Sequence, residues 1–397
     1  VTTGRDGSPS PLRVIQSVQR WLPQTETWLY TQVTNLPPSV ESHVACEHVA
    51  NLDQFPYPRL HCLMDYPRWR NVSDRALRRL RVRNHLWYLY DVARRNRARV
   101  LHSHFGFVGW RDLGVAARLK LAHVVTFYGV DVRYYPQQDA RWHRRYRDMF
   151  ARVDAVLCEG PFMGSSITAL GCPENKMRVH HLGIDLSRFP YRPLAWNPGT
   201  PLRVLVSGSF REKKGFPYAI EALGRLSARV PVEITIIGDA SGEPRTLREK
   251  AAIQEAVQRS GLAACTRFLG YQPHRVVMEE ALRHHVFLSP SVTSADGDTE
   301  GGAPVSIIEM CASGLLVVST THCDIPGVVL HGRTGLLAPE RDVDALVAHL
   351  EWLVENPGAW QAMRDAGRAH MEAEFDAVRQ GERLAAIYHD VAARRTA

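Results

Sequence analysis

At 397 residues the chain is too long for one ordinary core and comfortable for two. Its 45% hydrophobic and 23% charged content is that of a globular protein, which excludes a disordered or fibrous chain. The net charge of +8 is uneven, with +12 on residues 1–195 and −4 on residues 196–397.

That asymmetry has two readings. The basic half can face anionic lipid or a phosphorylated acceptor. Equally, only five of the 49 basic residues are Lys, and an Arg bias can follow from codon composition. The opening "VTTGRDGSPS" has no apolar stretch, so no signal peptide is expected, and no apolar run reaches the length of a membrane span. Seven scattered Cys with no C-x-x-C pair point to a reducing cytosol and argue against a zinc site or a disulfide framework.

In chain order, "LRVIQSV" (12–18), "ARVLHSHF" (98–105), "AHVVTFYG" (122–129), "DAVLCEG" (154–160) and "MRVHHLG" (177–183) read as strands. Amphipathic segments at 111–120, 138–151 and 161–170 lie between them. The Arg-, Trp- and Tyr-rich run 68–99 reads as a helix pair, on a membrane interface or with one aromatic core face. The proline-rich stretch 186–201 reads as a linker. Beyond it, "LRVLVSGS" (202–209), "VEITIIGD" (232–239), "TRFLGY" (266–271), "HVFLSPS" (285–291) and "LLVVST" (315–320) repeat the alternation. Short buried strands alternating with helices imply parallel sheets covered on both faces. The expected fold class is α/β, with two doubly wound, Rossmann-like domains. They are an N-terminal domain 1–195, a C-terminal domain 196–375 and a final helix 376–397 packing back on the first. Two such domains are expected to face each other across a cleft at the carboxyl ends of their strands.

Two stretches carry chemistry. In "SGSFREKKGFPYAIEAL" (207–223), a strand ends at a small-residue turn bearing Gly208, Arg211 and Lys214, and a helix follows. Guanidinium, ammonium and helix N-terminus together suit a diphosphate, although a solvated basic turn looks the same in isolation. In "DGDTEGGAPVSIIEM" (296–310), the backbone of Gly301, Gly302 and Ala303 can approach an anion. Pro304 suits a first helical turn, and Glu309 follows five residues on. Glu309 can accept from a ribose diol and Glu300 from sugar hydroxyls. Both motifs sit at strand-to-helix junctions about 90 residues apart, and a nucleotide-sugar needs both.

With these motifs the chain resembles the family-4 retaining glycosyltransferases of the GT-B fold. "VHHLGID" (179–185), "IIGDASGEPRTL" (236–247), "FLGYQP" (268–273), "FLSPS" (287–291) and "HGRTGLL" (331–337, as a hairpin) fall in the family's order. "TFYGVD" (126–131) and "PQTETW" (23–28) resemble the branch that builds exopolysaccharides such as colanic acid. The resemblance implies that Lys214, with Arg211, holds the donor diphosphate and Glu309 the ribose. It implies that Glu300 and the amides of Gly301, Gly302 and Ala303 hold the transferred sugar and the phosphate beside it. Gly208 and Gly238 would mark the phosphate-side turns, and Gly270 and Tyr271 would lie near the base. Glu26, His104, Tyr128 and Asp131 would stand on the acceptor side.

Three departures stand out. Eight residues separate Glu300 and Glu309 where the family has seven, Ser209 stands where Arg is common, and Tyr128 stands where many members have His. No cofactor or metal is implied, since the donor, of UDP or GDP type, is a substrate. The histidine pairs 102/104, 180/181 and 284/285 lack metal-ligand spacing. The acceptor is a glycan, lipid-linked or small-molecule hydroxyl. Contact with anionic membrane at the inner face of the plasma membrane is an open expectation, and nucleic acid is not expected. A soluble small acceptor, a nucleotide-sugar epimerase of the same shape and a non-catalytic sugar-nucleotide binder remain as alternatives.

Overall fold

Short, mostly buried strands, most of them followed by a helix, build two wholly parallel sheets. The computed structural model describes residues 10–23, 27–80, 82 and 85–395. Two compact units result: residues 1–183 with 377–397, and residues 184–376.

The first unit holds β1 (Leu12–Trp21), β2 (Val40–Val49), β3 (Leu60–Cys62), β4 (Val100–His104), β5 (Ala122–Thr126), β6 (Ala155–Cys158) and β7 (Met177–Val179). Their order in the sheet is β3-β2-β1-β4-β5-β6-β7. Two of these strands, β2 and β3, are not legible as apolar runs. In β2 the polar Ser42 and His43 are buried among Val44, Ala45 and Cys46. His43 is satisfied by Glu41 at 2.9 Å and His61 at 3.2 Å. Buried polar groups with partners break the hydrophobic pattern without breaking the strand.

One face of this sheet is covered by the last helix, Ala377–Arg394, whose Leu384, Tyr388 and Val391 pack on Val14, Val100, Val124 and Leu157. Gly381 brings that helix against the end of helix Thr27–Thr34, where a Cβ would lie 2.0 Å from the Asn35 carbonyl oxygen.

The second unit holds β8 (Leu202–Ser207), β9 (Val232–Ile237), β10 (Thr266–Phe268), β11 (Val286–Ser289), β12 (Leu316–Thr320) and β13 (Leu336–Ala338), in the order β10-β9-β8-β11-β12-β13. Alternate residues feed two cores. Val204, Val206, Val286 and Leu288 face one side, while Leu205, Phe287 and Val317 face the other. The "HGRTGLL" stretch is a tight loop closed by Gly332 N–H donating to the Gly335 carbonyl at 2.9 Å. It leads into β13, parallel to β12, so a parallel strand replaces the expected hairpin.

The expected boundary at 195/196 moves to 183/184, because the proline-rich stretch packs on the second unit. Ile184 bridges Asp376, Phe189 is buried in that unit's core, and Trp196 stacks on Trp360 at 5.4 Å. Prolines remove donors, but aromatic side chains between them still bury.

Tyr388 ties the final helix to the sheet beneath it. Its hydroxyl lies 2.7 Å from His102 Nδ1 and accepts from Gln16 Nε2 at 3.1 Å, wholly out of water. Tyr388→Phe leaves those buried groups without a partner and is expected to lower stability by ~1–3 kcal/mol, read as a shifted urea midpoint with an unchanged slope.

Candidate functional site

In doubly wound sheets, ligands bind beyond the carboxyl ends of the strands where the order reverses. In the second unit that point lies between β8 and β11. The basic turn leaves β8 and the acidic loop leaves β11, so the two motifs emerge side by side.

After β8, Gly208 to Arg211 lead into one 3-10 turn, Glu212–Lys214, and Gly215 takes a left-handed φ of 65° before helix Phe216–Leu226. A Cβ on Gly215 would meet the Pro290 carbonyl oxygen at 1.9 Å, so only glycine fits between the turn and the end of β11. Gly238, with φ 140°, touches the Gly208 carbonyl in the same way, and its N–H donates to the Gly270 carbonyl at 2.9 Å. Gly208, Gly238 and Gly270 therefore bring three strand ends together. The aliphatic chain of Lys214 runs over Gly208, where a Cβ would stand 3.4 Å from Lys214 Cδ.

Lys214 Nζ meets both oxygens of Glu300, at 2.9 and 3.0 Å. Ser291 Oγ donates to the same carboxylate at 2.8 Å. Lys213 Nζ donates to Asp298 at 3.1 Å and to the Thr299 carbonyl at 2.7 Å, and Arg211 lies 3.9 Å from Asp298. Glu300 is almost wholly buried, with 6% of its side chain exposed. Burial pushes its carboxyl up, but Lys214, Lys213 and the hydrogen bonds from Lys214 and Ser291 outweigh that and hold it below the usual range.

The loop continues through Gly301, with φ 83°, and buried Gly302 to Pro304, which caps helix Val305–Ser313 from outside rather than entering its first turn. The N–H groups of Gly302 and Ala303 have no hydrogen-bond acceptor among the described residues. Glu309 sits in that helix, mostly buried, 3.1 Å from His274 Nε2. That hydrogen bond raises the His274 imidazole against the opposing effect of burial. Tyr271 is 58% exposed beside Gly270.

Among the first-unit candidates, Glu26 lies outside the described residues. His104 is fully buried, with Nδ1 at 2.7 Å from the Tyr128 hydroxyl and Nε2 at 3.0 Å from Gln16 Oε1. Burial pushes it down to about 3, so the ring is neutral and orients Tyr128. Burial also holds the Tyr128 phenol protonated. Asp131 is buried, and its oxygens accept from Gly106 N–H at 2.7 Å and Tyr128 N–H at 3.0 Å. Burial raises its carboxyl to about 6 against those bonds. Asp131 thus organises the loop that carries Tyr128.

Reading the sequence missed Ser291, Asp298, His274, His322 and Glu340. Each lies in a loop or at a helix start, with no periodicity to mark it, although Ser291 closes the recognisable "FLSPS". Among the described residues, no cluster of three or more His, Cys, Asp or Glu has metal-binding geometry.

A carboxyl held low in the folded state contributes stability that is present above its unfolded value, about 4.3, and is lost as pH falls through the folded value. Glu300→Gln is therefore expected to cost ~1–3 kcal/mol at pH 7. That cost should shrink as the pH of urea unfolding is taken progressively below about 4.5.

Comparison with known proteins finds glycosyltransferase matches on both halves of the chain. A family model described as Glycosyltransferase Family 4 matches residues 25–188, and one described as Glycosyl transferases group 1 matches residues 201–356. The chain is 35% identical over 275 residues to the putative colanic acid biosynthesis glycosyltransferase WcaL of Escherichia coli K12, covering 66% of this chain and 62% of that protein. It is 33% identical over 280 residues to the amylovoran biosynthesis glycosyltransferase AmsK of Erwinia amylovora, covering 69% and 65%. The chain thus spans under two-thirds of the length of these curated relatives. Among solved structures, Anabaena Alr3699/HepE in complex with UDP superposes with a TM-score of 0.75 at 14% identity, over 96% of this chain and all of that one. Sucrose-phosphate synthase from Thermosynechococcus elongatus gives 0.71 at 16% identity, over 96% of this chain and all of that one. With one domain model on each half and two parallel-sheet units beneath them, the chain carries a family-4 and a group-1 glycosyltransferase domain and has the GT-B fold.

Proposed function

We propose that the protein moves a sugar from a nucleotide-diphospho-sugar to an acceptor hydroxyl during polysaccharide assembly, with retention at the anomeric carbon. The observation that carries this reading is the Lys214–Glu300 pair at the switch point of the second sheet. One residue suits a diphosphate and the other suits sugar hydroxyls, and they touch. Lys214 has three donors, so a diphosphate oxygen can join Glu300 at the ammonium. Arg211 and Lys213 add charge, and the N–H groups of Gly302 and Ala303 face no competing acceptor among the described residues. Glu309, one face of its helix further on, accepts from the ribose diol.

As the bond from the anomeric carbon to the diphosphate oxygen breaks, negative charge grows on the leaving phosphate, where fixed cations stabilise it most. The acceptor oxygen bonds to the same face of the sugar, and its proton passes to the leaving phosphate. No separate base is required, and no metal is required in this reading. On the acceptor side, neutral His104 fixes Tyr128 as a hydroxyl-bearing contact. The curated relatives are named for polysaccharide biosynthesis, which supports a glycan acceptor over a small soluble one and supports transfer over epimerisation. In Anabaena HepE the bound nucleotide is UDP, and a UDP- or GDP-type donor suits this site.

The reading extends to the inner face of the plasma membrane. Among the described residues, no helix is long and apolar enough to cross a membrane. Helix Arg68–Arg79, however, exposes apolar residues at helical spacing: Trp69 at 70%, Val72 at 66% and, just beyond its end, Leu80 at 72%. Arg68, Arg75 and Arg79 are exposed beside them. An apolar stripe flanked by arginines suits an anionic lipid surface.

Two measurements test these readings. In calorimetric titrations with UDP- and GDP-sugars, Lys214→Ala is expected to weaken the donor that the wild type binds by ~2–4 kcal/mol, and unchanged binding refutes the diphosphate role. In flotation with phosphatidylglycerol vesicles, wild-type protein is expected to bind at low salt and release as salt rises. Trp69→Glu with Val72→Glu should abolish that binding, and no salt-sensitive flotation refutes the membrane contact.

A further inference from the structure

The loop that carries Glu300 is held at its backbone by a buried histidine. His322 follows β12 and is 1% exposed. Its Nε2 accepts from the Glu300 backbone N–H at 3.1 Å, and the Cys323 sulfur lies 3.1 Å from the same nitrogen. Burial raises the Cys323 thiol to about 11, so it stays S–H and is able to donate to that nitrogen. The Glu300 amide can only donate, so Nε2 is the acceptor and carries no proton. The proton is therefore on Nδ1, which faces Glu340 Oε1 at 2.6 Å.

The second oxygen of Glu340 is also fixed, because Oε2 accepts from the Thr293 N–H at 2.7 Å. Glu340 thus sets the tautomer of His322, and the tautomer determines whether the Glu300 amide has an acceptor.

We propose that Glu340 and His322 form a positioning relay for the donor-sugar loop. Glu340 holds His322 in its Nδ1–H tautomer, and the free Nε2 anchors the Glu300 backbone, which aims the Glu300 carboxylate and the amides of Gly301, Gly302 and Ala303. This rests on the donor reading for its functional consequence, while the tautomer itself does not.

Glu340→Gln is the informative change. The Thr293 N–H keeps the amide oxygen on its side, so the Gln NH2 group faces Nδ1 and turns it into an acceptor. The ring proton then moves to Nε2, where it points at the Glu300 N–H. Neither residue is among those assigned to the donor, and the side-chain shape is unchanged. His322→Gln offers a compensating geometry, since its Oε1 can accept from Glu300 while its NH2 donates to Glu340.

The test uses the full chain. Imidazole ¹⁵N shifts at pH 7.5 are expected to show His322 as the Nδ1–H tautomer in wild type and the Nε2–H tautomer in Glu340→Gln. Calorimetry with UDP and GDP is expected to show affinity reduced about tenfold in Glu340→Gln and largely kept in His322→Gln, with both melting temperatures close to wild type. An Nε2–H tautomer in wild type, or the same tautomer in both proteins, overturns the relay. Equal nucleotide affinity in wild type and Glu340→Gln overturns its role in donor binding. If wild type binds neither nucleotide, the donor reading fails while the ¹⁵N shifts still decide the relay. If Glu340→Gln does not fold, His322→Gln against His322→Leu decides it, and equal loss in both overturns the proposal.

Discussion

The contact on which the candidate site depends is the ion pair between Lys214 and Glu300, 86 residues apart in sequence. A buried carboxylate is tolerated only where its charge is answered, and here ammonium and hydroxyl donors answer it. The pair exists because β8 and β11 are neighbours over a short register, Val204 to Val286 and Leu205 to Phe287. Beyond that register the two chains part, β8 into the basic turn and β11 into the acidic loop. The separation that ends the ladder is what opens the site.

Glycine makes the separation compact. Gly215 passes under the Pro290 carbonyl and Gly238 under the Gly208 carbonyl, at distances no side chain permits. The result is a floor of backbone with charge arranged above it. Lys214 crosses this floor, so its position is set by packing against glycine as well as by its charge partner. Electrostatic preorganisation of this kind costs no rearrangement when new charge develops.

The first unit solves a different problem by the same means. Its sheet buries Gln16, His102, His104, Thr126 and Tyr388 in one hydrogen-bonded chain, which links the final helix to the loop carrying Tyr128. Burial keeps both imidazoles neutral, well below the ordinary histidine value. A neutral, fully partnered network holds geometry without the cost of a buried charge, and it converts residues that look catalytic in sequence into supports. His104 and Asp131 are the clearest instances.

Much of this was legible in the residues alone. The alternation of apolar runs with helices determined two parallel α/β units, because a strand buried on both faces must be apolar throughout. The basic turn, the glycine step and the two glutamates were visible as chemistry at strand-to-helix junctions. Three things were decided only by tertiary structure. Strands β2 and β3 stayed hidden because buried polar groups such as His43 find partners within the sheet, Glu41 on its own strand and His61 on the next. The proline-rich stretch joined the second unit because Trp196 and Phe189 found apolar surfaces that sequence does not place. His322 and Glu340 came to stand behind Glu300 because the carboxyl ends of β12 and β13 converge on the loop from β11. A hydrogen bond between residues so far apart has no signature in either sequence neighbourhood, since what fixes it is the register of a folded sheet.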